Sequence, residues 1–232
     1  MSNPATRARP MARLLDRMFV RGTVEEIEDL TPRLRRIRIT GDAVGALEWT
    51  PGQHVRVRVG PGLRDMLRTY SVWAFGSGGL DLCVFEHGED GPGSRWAREV
   101  RQGQRVSFTK PEGRFVPRPD APYHVFAGDE TASVAFGAIL RALPAGAPVY
   151  GVVELGSPED ALPLRDLGTT ERGSLVAAVR ALELPSEPGV AYLAGETRTC
   201  QAVRSHLVRE RGWPRRSVLI KPFWMPGKRG MD

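Results

Sequence analysis

The chain has 232 residues, 41 % of them apolar, with a formal net charge of +6 and a pI near 9.9. That apolar content excludes intrinsic disorder and allows one large domain or two small ones. The positive balance favours anionic partners such as nucleotides, acidic metal chelates, nucleic acid or a membrane surface, or describes only the basic surface of a soluble protein.

Two cysteines, Cys83 and Cys200, lie far apart and form no C-x-x-C, which excludes a zinc ribbon or a four-cysteine iron–sulfur cluster within the chain. Both sit in apolar segments, so buried thiols in a cytoplasmic protein are expected. No apolar run approaches the roughly 18 to 20 residues of a membrane span. Residues 1–17 carry Arg7, Arg9 and Arg13 without a signal-peptide apolar region, and read as a basic, mobile arm.

Residues 18–118 carry strand signals. Arg36 to Thr40 alternates polar and apolar side chains, and His54 to Val59 does so more cleanly, with Val55, Val57 and Val59 on one face. Leu80 to Glu86 and Gln104 to Thr109 are further strands, and turn signals at Thr31-Pro32, Pro51-Gly52, Gly60-Pro61-Gly62 and Gly76 to Gly79 separate them. Short antiparallel strands so spaced predict a small barrel. One helix, Ser94 to Val100, interrupts them, and Glu25, Glu26, Glu28 and Asp29 read as a solvated turn.

The pattern changes across Pro117, Pro119 and Pro122. In residues 119–232, strands at Tyr123 to Ala127, Pro148 to Leu155, Val190 to Ala194 and Ser217 to Phe223 alternate with helices at Thr131 to Leu143, Leu175 to Leu184 and Thr197 to Arg211. Such alternation implies a parallel sheet with crossover helices. The fold expected is an N-terminal antiparallel β-barrel followed by a Rossmann-like α/β domain.

Three motifs carry chemistry. In Arg68-Thr69-Tyr70-Ser71, Arg68 and Tyr70 share a strand face. An aromatic ring beside a guanidinium suits a flavin with its pyrophosphate, and Ser71 can bond the ring's polar edge. An ordinary strand with one long arginine and a core tyrosine fits as well. Gly91-Pro92-Gly93-Ser94 opens a helix whose N-terminus favours phosphate, although Ser94 could simply cap it. Gly128-Asp129-Glu130-Thr131 and Gly195-Glu196-Thr197 each stand between a strand and a helix, where open α/β sheets bind ligands. There Gly128 allows close backbone approach and Thr131 can donate to a nucleotide, or each is only a turn with an N-cap. Neither is a G-x-G-x-x-G or Walker loop. The histidines His54, His87, His124 and His206 show no metal spacing and are read as packed or surface residues, and no metal site is expected. Arg204, Arg209, Arg211, Arg215 and Arg216, extended by Lys221, Lys228 and Arg229, form either a solvated face or an attractant for a negative substrate.

Taken together, Arg68-Thr69-Tyr70-Ser71, the string His87-Gly88-Glu89-Asp90-Gly91-Pro92-Gly93-Ser94-Arg95-Trp96-Ala97, Ala127 to Ala132, Ala194-Gly195-Glu196 and Pro222 to Gly227 resemble the siderophore-interacting proteins. These are FAD-dependent ferric-siderophore reductases of the ferredoxin-reductase-like superfamily. The resemblance runs from about residue 18 to the C-terminus. It implies FAD contacted by Arg68, Thr69, Tyr70 and Ser71, with His87, Gly91, Pro92, Ser94 and Trp96 around its phosphate and ribityl. Gly128, Asp129, Thr131, Gly195 and Glu196 would serve the cofactor on the nicotinamide side, with NAD(P)H as electron donor. Lys221, Trp224, Lys228 and Arg229 would hold the anionic ferric siderophore. No acid–base residue is required for the electron transfer itself, no nucleic-acid or membrane partner is implied, and a monomer or weak homodimer is expected.

The chain departs from the family pattern at Trp73, where a basic residue is usual, and at Ser133-Val134, where Leu-Pro is usual. It departs again at Phe223, in place of tyrosine, and at Arg165 to Arg172, where an expected V-T-W-x-x-R strand is replaced by a stretch without an apolar strand. The changes at Trp73 and Phe223 are expected to bear on flavin seating or substrate choice, and the missing strand on nicotinamide binding. Two alternatives remain open: a diverged flavoprotein of this fold acting on an organic biosynthetic intermediate, and a basic nucleic-acid-binding module.

Overall fold

A computed structural model describes residues 19–60, 67–86 and 91–227. The basic arm, His87, Lys228 and Arg229 lie outside the described residues.

The first half closes into a six-stranded antiparallel barrel. Its strands are β1 (Phe19–Thr31), β2 (Leu34–Thr40), β3 (His54–Arg58), β4 (Leu67–Gly76), β5 (Gly79–Phe85) and β6 (Arg105–Thr109), in the order β1-β2-β5-β4-β3-β6. Period-two alternation sends Ile37, Ile39, Val55, Val57, Leu80, Leu82 and Phe108 into one core. Closure leaves no edge strand in need of a partner. Glu25, Glu26, Glu28 and Asp29 are not a turn. They lie on the outer part of β1, where they meet Arg38, Arg36 and Arg35 of β2 at 2.7–2.9 Å. The sequence reading missed this because a polar outer strand face looks like a turn until its cross-strand partners are known.

The barrel carries two helices rather than one. A single turn, α1 (Asp42–Gly45), buries Val44 in the barrel core. The second, α2 (Pro92–Glu99), begins two residues earlier than expected. Gly91 is its N-cap and Pro92 its first residue, so Ser94 lies within the first turn and caps nothing.

The second half is a parallel sheet in the order β11-β10-β7-β8-β9. Its strands are β7 (His124–Asp129), β8 (Val149–Leu155), β9 (Gly168–Glu171), β10 (Val190–Glu196) and β11 (Val218–Trp224). The helices are α3 (Ser133–Ala142), α4 (Leu175–Arg180) and α5 (Thr197–Ser205), the last continuing into a π-helical turn at His206–Glu210 rather than running on as one helix to Arg211. Central β7 is buried throughout. Phe126 joins a core with Phe136 and Ile139 of α3, while Val125 and Ala127 join another with Leu175, Val179, Val203 and Leu207. The strand thought missing between Arg165 and Arg172 is present as β9. It is polar because it is an edge strand paired on one side only, so it needs no apolar face. Among the described residues no helix is long and apolar enough to cross a membrane.

Two contacts fix the barrel on the sheet. Trp73 of β4 lies on α3 at Gly137, where a β-carbon would come within 2.4 Å of the indole. Arg141 covers the ring at 3.8 Å and donates to the Trp73 carbonyl. Trp73 therefore faces the second domain and not the face shared by Arg68 and Tyr70, so it bears on domain docking rather than on that face. At the other contact, Arg33 donates Nε and Nη2 to buried Asp160 at 2.7 and 2.5 Å. Glu130, also buried, accepts from Arg172 and lies 3.7 Å from Arg33. Gly137→Val should lower stability by about 1–3 kcal/mol by overpacking the indole. Adding Trp73→Leu should recover part of that loss, measured as non-additive ΔΔG in urea unfolding.

Candidate functional site

Three groups of side chains converge at the joints of this fold. The first is on the barrel. The β3–β4 register pairs Val55 with Tyr70 and Val57 with Arg68, so both motif side chains share the face of the two valines. Helix α2 closes on them. The Tyr70 hydroxyl donates to the Gly93 carbonyl at 3.2 Å, its ring stacks on Trp96 at 5.5 Å, and a β-carbon on Gly93 would lie 2.8 Å from that hydroxyl. Glycine is thus required where the helix start meets Arg68 and Tyr70. Gly91 supplies no side-chain cap, and first-turn N–H groups have no intrahelical acceptor. A guanidinium, a half-buried aromatic ring and the positive end of a helix therefore stand together, a donor set that fits a pyrophosphate joined to a flat ring.

Other members of the predicted set fall elsewhere. Trp96 is buried in the barrel core and supports Tyr70 from beneath, so it does not line an open surface. Thr69 and Ser71 belong to the opposite strand face, paired with Arg56 and His54.

The second group lies at the carboxyl ends of β7, β10 and β11, and its hub is Asp129. Oδ1 accepts from the Thr131 backbone N–H at 3.0 Å and from its hydroxyl at 2.5 Å. Oδ2 accepts from the Glu196 N–H and from Trp224 Nε1, both at 2.8 Å. Burial pushes the Asp129 carboxyl above the usual range, against the pull of these donors. The structure brings Gly128, Asp129, Thr131, Gly195 and Glu196 together with Trp224, which was expected on the substrate side, and most of their polar atoms serve one another. The close approach at Gly128 is by the Ala194 carbonyl, 2.2 Å from a would-be β-carbon. Gly195 has φ +113°, and a side chain there would strike the Asp129 carboxylate. Glu196 caps α5, accepting from the Arg198 and Thr199 N–H groups at 2.9 and 2.7 Å.

The third group was not assembled by the sequence reading. A cleft of about 400 Å³ opens along β11 against the barrel, lined by His54, Arg114, Arg118, Arg215, Arg216 and Lys221. Lys221 Nζ lies 3.0 Å from His54 Nδ1 and 5.5 Å from the Phe223 ring. Burial lowers the Lys221 ammonium to about 8. Burial first, then the Lys221 and Arg56 charges, hold His54 at about 4, so its ring is neutral near pH 7. Arg118 donates Nη1 to the Arg216 carbonyl at 2.8 Å. Arg114, Arg215 and Arg216 have no carboxylate partner among the described residues. The cleft is therefore strongly basic. Of its members only Lys221, Arg215 and Arg216 stood out in sequence. His54 pairs with Lys221 across 167 positions, a contact no local motif reports. Among the described residues no group of His, Cys, Asp and Glu is placed to hold a metal ion.

Comparison with known proteins gives these joints a family. Residues 58–115 match the model of a siderophore-interacting FAD-binding domain, and residues 121–227 that of the siderophore-interacting protein. The ferric vibriobactin reductase ViuB of Vibrio cholerae serotype O1 is 29 % identical over 98 % of this chain and 94 % of its own. The siderophore-interacting protein SipS from Aeromonas hydrophila has 25 % identity and a TM-score of 0.80, covering 91 % of this chain and 93 % of that one. The ferredoxin reductase of carbazole 1,9a-dioxygenase has 21 % identity and a TM-score of 0.73 over 89 % of this chain and 69 % of that one, and so shares the fold. The chain belongs to the siderophore-interacting protein family, its first half matching that family's FAD-binding domain.

Proposed function

We propose that this protein is a flavin-dependent reductase of a ferric siderophore, taking electrons from NAD(P)H. The observation that carries this reading is the meeting of Arg68 and Tyr70 with the glycine-opened start of α2. Arg68 and the first-turn N–H groups of α2 would neutralise and orient the FAD pyrophosphate, and Tyr70, held by Trp96 and the Gly93 carbonyl, would pack on its apolar part. When bound, the flavin supplies the redox chemistry that converts a two-electron hydride donor into single electrons for iron.

The nicotinamide nucleotide is assigned to the carboxyl ends of β7 and β10, where ligands of open α/β sheets bind. Thr131, Gly195 and Glu196 form the rim there. Asp129 acts by position, tying three strand ends together. The presence of β9 restores the sheet edge whose apparent loss argued against this donor. The anionic chelate is assigned to the basic cleft along β11, where Lys221, Arg114, Arg215 and Arg216 offer positive charge and the three arginines have no carboxylate partner among the described residues. Trp224, whose indole N–H is bonded to Asp129, would contribute its ring and not a hydrogen bond. Iron is the cargo. Ferrous iron holds oxygen-rich chelators far less tightly than ferric iron, so reduction releases it.

Arg68→Ala should weaken FAD about ten- to a hundredfold, since a hydrogen bond to a charged group contributes roughly 1.5–3 kcal/mol. Quenching of flavin fluorescence on titration reads this directly, and unchanged retention would remove Arg68 from the site. Anaerobic NADPH or NADH should bleach the visible band of the FAD-loaded protein, and a ferric siderophore should restore it. A band that bleaches but is restored only by an organic acceptor would mean a different substrate.

A further inference from the structure

The basic cleft holds one group whose chemistry exceeds binding. Its ionisable lining consists of His54, Lys221 and the arginines Arg114, Arg118, Arg215 and Arg216. Arginine does not give up a proton in proteins. His54 is buried beside the Lys221 and Arg56 charges, which keep it neutral, so its Nδ1 accepts from Lys221 and its proton sits on Nε2, 3.8 Å from Glu112 Oε1. Among the described lining residues, that leaves the Lys221 ammonium as the acid available near neutral pH.

We propose that Lys221, seated on His54, protonates the chelator oxygen from which iron departs. This rests on the reductase reading above. The balance is simple. The electron that turns Fe(III) into Fe(II) would be supplied by the flavin when bound. The weakened Fe–O bond then breaks, with both its electrons staying on oxygen. That oxygen takes a proton from Nζ, leaving a neutral amine, and solvent returns the proton through the open mouth of the cleft. His54 keeps the nitrogen in place through its single hydrogen bond, and the surrounding guanidiniums hold the remaining negative charge of the chelator.

Two measurements test this on the wild type, Lys221→Arg and Lys221→Met. The first is calorimetric binding of benzene-1,3,5-tricarboxylate, an anion of constant charge above pH 7, to the flavin-free protein. Lys221 is charged below its pKa of about 8 and loses that charge as pH rises through it, so wild-type affinity should fall there by up to about tenfold per pH unit. The charged groups around Lys221 are Glu112, Arg56 and the four cleft arginines, and since arginine does not give up a proton in proteins, Lys221→Arg should be flat. The second is rapid mixing of flavin-reduced protein with a ferric hexadentate tris(catecholate), following flavin oxidation and capture of Fe(II) by a ferrous-specific chelator. Wild-type iron release should slow above pH 8, and in both variants it should be at least tenfold slower at pH 7 and lose that dependence. Release with the wild-type rate and pH profile in both variants, or probe binding that is flat with pH in the wild type, overturns the role of Lys221 alone. A reduced flavin that no ferric chelate oxidises overturns the reductase reading as well.

Discussion

Every feature assigned to function depends on how rigidly the barrel is seated on the sheet. The indole of Trp73 lies in the space left by the missing side chain of Gly137, and Arg141 covers it from the far side. Interiors packed this closely transmit displacement and do not absorb it. The second contact, in which Nε and Nη2 of Arg33 both donate to Oδ2 of Asp160, restrains rotation about the first, because charge-assisted hydrogen bonds are directional as well as attractive. Phe115, on the connection between the halves, packs against Phe136 and Tyr192 and so extends the core of the α/β domain to the end of the barrel. With those restraints in place, His54 of β3 and Lys221 of β11 are held at hydrogen-bonding distance although they belong to different domains.

How the charge is distributed explains why a net charge of +6 acts locally. Along β1 and β2, arginines and carboxylates alternate across the register and largely cancel. Such exposed pairs contribute little to stability, about 0–1 kcal/mol each, but they keep that face electrically quiet. Among the described residues, Arg114, Arg215 and Arg216 of the cleft have no carboxylate partner. A concave surface of one sign raises the local concentration of a counter-charged ligand more than the same charges spread over a convex face.

The sequence revealed those parts of the molecule whose physics is local. Alternation in His54 to Arg58, the apolar run of β7 and the glycine-marked helix starts were all legible, because strand period and helix termini are written in neighbouring residues. What could not be read depended on distant partners. The acidic run of β1 looked like a turn until β2 supplied its arginines. β9 looked absent because an edge strand needs no apolar face. Trp96 looked like a ligand contact because its motif carries Gly91 and Ser94, whereas its ring faces the barrel core. Trp73 was expected to bear on flavin seating or substrate choice, but parity along β4 turns it away from Arg68 and Tyr70 and onto Gly137. The pairing of His54 with Lys221 had no signal at all in either segment.

That pairing is also costly in isolation, which bears on its meaning. Burying an ammonium disfavours its charged form, here only partly offset by the Glu112 carboxylate, and a lysine brought down to about 8 is one whose folded state holds the proton less well than the unfolded chain does. Between that value and the ordinary lysine value of 10.5 the unfolded chain binds more protons, so stability rises with pH through that window and is lower at pH 7 than at pH 10 on this account. An apolar residue at the same position of β11 would meet no such penalty. A neutral histidine on one side and unquenched arginines on the other make the site worse for folding and better for receiving an anion. Such local opposition between stability and chemistry is characteristic of functional sites. It is strongest here at the single residue that joins the cleft, the barrel and the edge of the sheet.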